Sequence, residues 1–130
     1  QNARNHIEDA ISDAFKSGTQ MSLVLATLSY SDKIKSNIPE GLLAKLGEII
    51  RAQSYRNKDL VLQYPGEFII ILYGCNKNNG FIVQGRIEQA LRSYLDSVGL
   101  SKDLKLSFGA ATYPDEGGSY QELINKARLA

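Results

Sequence analysis

Three observations predict an α+β layer fold, with helices covering both faces of a mixed, mostly antiparallel sheet. The hydrophobic pattern reads helix, strand, helix, hairpin, helix, strand, helix. Two runs, Met21 to Tyr30 and Phe68-Ile69-Ile70-Ile71, lack polar alternation and so ask for burial on both faces. Between two short apolar runs stands Pro65-Gly66, a turn pair that predicts an antiparallel hairpin.

The first element is a lead-in helix over residues 3 to 16. Ile7, Ile11, Ala14 and Phe15 recur at helical spacing, and Gly18 supplies the stop. Such a helix packs on the domain or connects it to a preceding one. Met21 to Tyr30 follows as the central strand, rich in Leu, Val and Ala. Pro39 and Glu40 suit a first helical turn, and Leu42, Leu43, Leu46, Ile49 and Ile50 make one apolar stripe up to about Gln53. Leu60 to Gln63 and Phe68 to Tyr73 are the two arms of the hairpin.

After a polar loop from Gly74 to Asn79, Val83, Ile87, Ala90, Leu91, Tyr94 and Val98 mark a long helix that Gly99 ends. Leu104, Leu106, Phe108, Ala110 and Thr112 alternate as the last strand. Ser119 with Glu122 forms a capping box that opens a final helix through Leu123, Ile124 and Ala127.

Composition narrows the function classes. With 130 residues, 43% hydrophobic and 22% charged, the chain suits one globular domain with a substantial core. Fifteen basic against fourteen acidic residues give a net charge of +1, which leaves no broad footprint for a nucleic acid or an anionic membrane. No apolar run approaches the ~20 residues that cross a bilayer. Cys75 is the single cysteine and cannot form an internal disulfide, which fits a reducing, cytoplasmic setting. His6, the single histidine, sits among polar residues with no partner for zinc or nucleophilic chemistry and reads as an ordinary surface residue.

Function is best signalled by Arg56, Asp59 and Arg86, set around the hairpin turn Tyr64-Pro65-Gly66-Glu67-Phe68. An arginine three residues before an aspartate presents a guanidinium fork and a carboxylate from one short turn. That pair suits a ligand carrying both a phosphate and a guanine-like edge. An Arg-x-x-Asp match arises by chance in about one such chain in three, so its weight comes from its position before the hairpin. The bland alternative is a local ion pair between Arg56 and Asp59, worth ~0 to 1 kcal/mol, with Arg86 a solvated helix residue.

The succession of Leu23 to Ser29, Leu42 to Arg51, Arg56-Asn57-Lys58-Asp59, Tyr64-Pro65-Gly66-Glu67-Phe68, Ser107-Phe108-Gly109, Tyr113-Pro114 and Leu123 to Ala127 resembles the GGDEF, or diguanylate cyclase, family. The resemblance spans almost the whole chain. It implies a nucleotide-cyclase-like fold, with residues 1–18 as the lead-in helix and residues 19–130 as a degenerate GGDEF domain truncated at its C-terminal end. It also implies cyclic di-GMP as a regulatory ligand, with Arg56, Asp59 and Arg86 matching the family's product-binding inhibitory site.

Family members bind two magnesium ions through carboxylates on the first strand and on the third hairpin residue. This chain has Ala26, Thr27, Leu28 and Ser29 at the strand position, and its hairpin keeps only Glu67. Pro65 replaces a flexible position near the nucleotide and deletes an N–H donor. The family's Ala-Asp pair on the last helix appears as Ala127-Arg128. The expectation is therefore a receptor with no catalytic residues, no metal and no cofactor. Its partners are cyclic di-GMP and, beyond that, a homodimer mate or a neighbouring signalling domain, with no nucleic acid and no membrane contact by this stretch of a bacterial, cytoplasmic or membrane-tethered protein. The alternatives are a ligand-free dimerisation or protein-interaction module and a regulator with residual cyclase or GTP-binding activity.

Overall fold

The computed structural model describes residues 2–53 and 59–129. The elements run α1 (Ala3–Ser17), β1 (Met21–Tyr30), α2 (Asp32–Lys35), α3 (Leu42–Ala52), β2 (Leu60–Tyr64), β3 (Glu67–Tyr73), α4 (Lys77–Ser97), β4 (Leu104–Tyr113) and α5 (Tyr120–Leu129). Among the described residues the strands form one four-stranded sheet in the order β2-β3-β1-β4. The antiparallel expectation holds at every pairing: β1 with β3, β1 with β4, and β2 with β3.

Side-chain alternation divides the core in two. Val24, Ala26 and Leu28 of β1 and Phe68, Ile70 and Leu72 of β3 meet α3 and α4 through Leu46, Ile50, Ile87 and Leu91. On the opposite face Met21, Leu23, Leu25, Ile69 and Ile71 meet α1 and α5 through Ile7, Ala10, Ala14, Leu123 and Ile124. Burial on both faces is why β1 and β3 read as continuous apolar runs. Both strands lie inside the sheet, with β2 and β4 at its edges.

Several element ends depart from the sequence reading for local reasons. Residues 74 to 79 do not all form a loop, because Asn76 caps α4 by accepting from the Asn79 N–H at 2.8 Å, so the helix starts at Lys77. In the other direction, α3 starts at Leu42, later than Pro39, since Gly41 precedes it with φ 79° in the left-handed region. The four-residue α2, which buries Ile34, is too short to leave a periodic signature. The capping box forms as expected, with the Glu122 N–H donating to Ser119 Oγ at 3.2 Å and the Gly118 N–H donating to Glu122 Oε1 at 3.1 Å.

A buried polar cluster fixes α4 against the centre of the sheet. Ser22 Oγ donates to the Cys75 carbonyl at 2.9 Å and lies 2.7 Å from Thr112 Oγ1. Gly80 allows the helix to come this close, because a Cβ there would stand 3.0 Å from both Cβ and Oγ of Ser22.

Candidate functional site

Of the three residues that carry the ligand hypothesis, Asp59 and Arg86 are described and Arg56 lies outside the described residues, as do Asn57 and Lys58. Asp59 stands immediately before β2, half-buried, and its Oδ1 accepts the backbone N–H of Tyr73 at 3.2 Å. The carboxylate thus anchors the start of β2 to the end of β3. Arg86 is half-buried in the middle of α4, the helix packed on α3 and β4. Asp59 and Arg86 thus come from two different elements, the start of β2 and the middle of α4.

The hairpin is better defined. Tyr64 pairs with Glu67, so Pro65 and Gly66 form a two-residue turn, and the Leu28 N–H donates to the Gly66 carbonyl at 2.9 Å. In register, Glu67 faces Thr27 on β1, and Thr27 faces Ser107 on β4. These residues make one row across three strands, on the same sheet face as Leu23, Leu25 and Ile69. Thr27, Ser29 and Ser107 are exposed because the apolar contacts of α1 and α5 cover the other end of that face. Ala26 and Leu28 point the opposite way, into the core beneath α3 and α4. Of the four strand positions singled out above, Thr27 lies in this row and Ser29 beside it on the same face.

Arg128, near the end of α5, reaches across to close the row. Its Nη1 donates to Glu67 Oε1 at 2.9 Å and its Nη2 to Oε2 at 3.2 Å, a two-pronged pair of the geometry that favours arginine. The bond to Glu67 raises the Arg128 pKa further above its ordinary value, against the opposing effect of burial. Beside the pair lies an open cavity of about 300 Å³ lined by Leu25, Thr27, Ser107, Phe108, Gly109, Ala127 and Arg128.

In the sequence Glu67 stood out as the one acid the hairpin keeps and Arg128 as a departure in the last helix. Their pairing was not legible, since 61 positions separate them and only the docking of α5 brings them together. The one available signal was Arg128, a basic residue at a motif position where the family carries an aspartate, in a chain whose hairpin keeps the acidic Glu67.

Among the described residues no group of three or more His, Cys, Asp or Glu side chains could hold a metal ion. Cys75 is buried, with its thiol donating weakly to the Asn76 carbonyl at 3.5 Å. Among the same residues no helix is long and apolar enough to cross a membrane.

The model of the family described as diguanylate cyclase, GGDEF domain, matches residues 1–130. The chain belongs to the GGDEF family. Solved structures agree on the fold. The GGDEF domain of YfiN (TpbB) from Pseudomonas aeruginosa is 20% identical with a TM-score of 0.78, the match covering 98% of this chain and 83% of that one. The active GGEEF domain of a diguanylate cyclase from Vibrio cholerae is 13% identical with a TM-score of 0.76, covering 94% and 80%. The GGDEF domain of DgcB from Caulobacter crescentus, solved in complex with c-di-GMP, is 17% identical with a TM-score of 0.63, covering 98% and 81%. Among proteins of curated function, none matches the chain. At these identities the likeness carries the GGDEF fold, and the site must be argued from this chain's own residues.

Proposed function

We propose that this GGDEF domain is a cyclic di-GMP receptor that does not synthesise the dinucleotide. The observation that carries the reading is the row beside the hairpin. Where cyclase chemistry asks for carboxylates around magnesium, the row offers the hydroxyls of Thr27 and Ser107, with Ser29 beside it on the same face, and its one acid, Glu67, is already neutralised by Arg128. Neutral hydroxyls and a paired carboxylate are a poor donor set for two hard dications. The residues present therefore do not fit magnesium.

Recognition is assigned to Arg56, Asp59 and Arg86. Guanidinium groups at 56 and 86 match phosphate oxygens or the O6 and N7 edge of guanine, and the Asp59 carboxylate accepts from guanine N1–H and N2–H. DgcB, a structural neighbour, was solved in complex with c-di-GMP, which makes that dinucleotide the first ligand to test here. Asp59 already accepts the Tyr73 N–H on Oδ1, which holds its carboxylate in place at the start of β2.

The test is a calorimetric titration with cyclic di-GMP beside GTP and cyclic di-AMP. Micromolar binding of cyclic di-GMP is expected, with Arg56→Ala and Arg86→Ala each weakening it by about ten- to a hundredfold. No heat from a folded sample refutes the receptor reading, and product formed from GTP and magnesium refutes the non-catalytic one. The competing interaction-module reading is favoured by Phe15 and Phe81, which are 75% and 70% exposed. It predicts partner binding that survives Arg56→Ala and Asp59→Ala and falls when those two aromatic residues are replaced by serine.

A further inference from the structure

Asp59 is tied to more than the start of β2. The residue that holds its carboxylate, Tyr73, ends β3 opposite Met21 of β1. The Tyr73 side chain leaves the sheet on the α1/α5 face and packs against the cluster to which α1 contributes Ile7, Ala10 and Ala14. Asp9 and Asp13 of α1 also act on its hydroxyl, which burial and then the charges of Asp13, Asp9 and Asp59 hold protonated above the usual tyrosine range. One residue therefore touches Asp59 through its backbone and the cluster that seats the lead-in helix through its side chain.

We infer that Asp59, acting through Tyr73, couples the start of β2 to α1, so that a change at the Asp59 carboxylate, including one made by a bound dinucleotide, alters how firmly the lead-in helix sits on the sheet. The inference rests on the receptor reading for the identity of the ligand, but the mechanical link stands on the fold alone. Tyr73 is a positioning residue in this scheme, since it acts through Asp59. The physical basis is the short path. The Asp59 bond fixes the last residue of β3, and the frame of that residue sets where its ring meets α1. Loss or redirection of the bond loosens the strand end, which stays paired with Met21, on the face away from α3 and α4.

Amide hydrogen exchange on the whole chain tests this with and without ligand. In the ligand-free protein Asp59→Ala is expected to speed exchange at Tyr73 and at Ile7, Ala10 and Ala14 by about fivefold, the equivalent of one ordinary hydrogen bond. Ile87 and Leu91 of α4 serve as the control and keep their rates. Asp59→Asn retains an accepting oxygen and stays near wild type at all these positions. Unchanged α1 rates in Asp59→Ala overturn the coupling, and so does equal acceleration of α1 and α4, which marks a general loss of stability. Cyclic di-GMP that binds by calorimetry but leaves α1 exchange unaltered overturns it as well. If no cyclic di-GMP binds while Asp59→Ala still loosens α1 selectively, the receptor reading falls and the coupling is upheld.

Discussion

Replacing Glu67 by Gln and Arg128 by Met, singly and together, measures what the two-pronged contact contributes. Both hydrogen bonds are well formed, at 2.9 and 3.2 Å, yet the Arg128 side chain is 48% exposed and that of Glu67 20% exposed. Fully exposed pairs contribute about 0.2 to 1 kcal/mol, and hydrogen bonds to charged groups about 1.5 to 3 kcal/mol. Half-exposure and solvent screening place this pair near the top of the first range, at about 1 kcal/mol of coupling. For a chain of this size that corresponds to roughly 3 to 5 °C in Tm. Urea denaturation of the four proteins closes the cycle, and repeating it near 1 M salt, where the Debye length falls to about 3 Å, should shrink the coupling by about half. A coupling below about 0.2 kcal/mol would refute the reasoning. Glu67 would then count as an available hairpin carboxylate, and one of the two supports for a non-catalytic row would be gone.

Two further outcomes follow from the packing and the titrating groups. Gly80→Ala gains about 1 kcal/mol of helix propensity but drives a methyl to 3.0 Å from buried Ser22, at an overpacking cost of about 1 to 3 kcal/mol; net destabilisation of about 1 kcal/mol is expected by chemical denaturation. Tyr30 and Tyr73 both titrate above the usual 10.0, Tyr30 through burial and Tyr73 through burial and then three carboxylates. Since the unfolded chain gives up these protons first, stability is complete below about pH 10 and declines as pH rises past it. Tyr73→Phe should flatten that decline in an alkaline urea series, and an unaltered slope would show that Tyr73 does not cause it.

The order of elements was legible because each carried its own periodicity. Continuous apolar β1 and β3, the Pro65-Gly66 turn, the stripe from Leu42 to Ile50 and the Ser119/Glu122 box each declare themselves within about ten residues. Element starts were less legible where a cap overrode composition, as when Asn76 turned a polar stretch into the first turn of α4. The site divides in the same way. Thr27 and Ser29 could be named as lacking the expected acid, but not separated from Ala26 and Leu28 until the pleat showed which pair faces the open row.

What the sequence determined by itself is local: which segments are helix or strand, which motif positions carry a charge, and which family succession they follow. Tertiary structure alone decided that Arg128 meets Glu67 and that Asp59 meets Tyr73. The reason is physical. A backbone pattern is set by neighbours a few residues away, whereas pairing between distant side chains depends on how helices dock on a sheet, and no short-range periodicity encodes that distance.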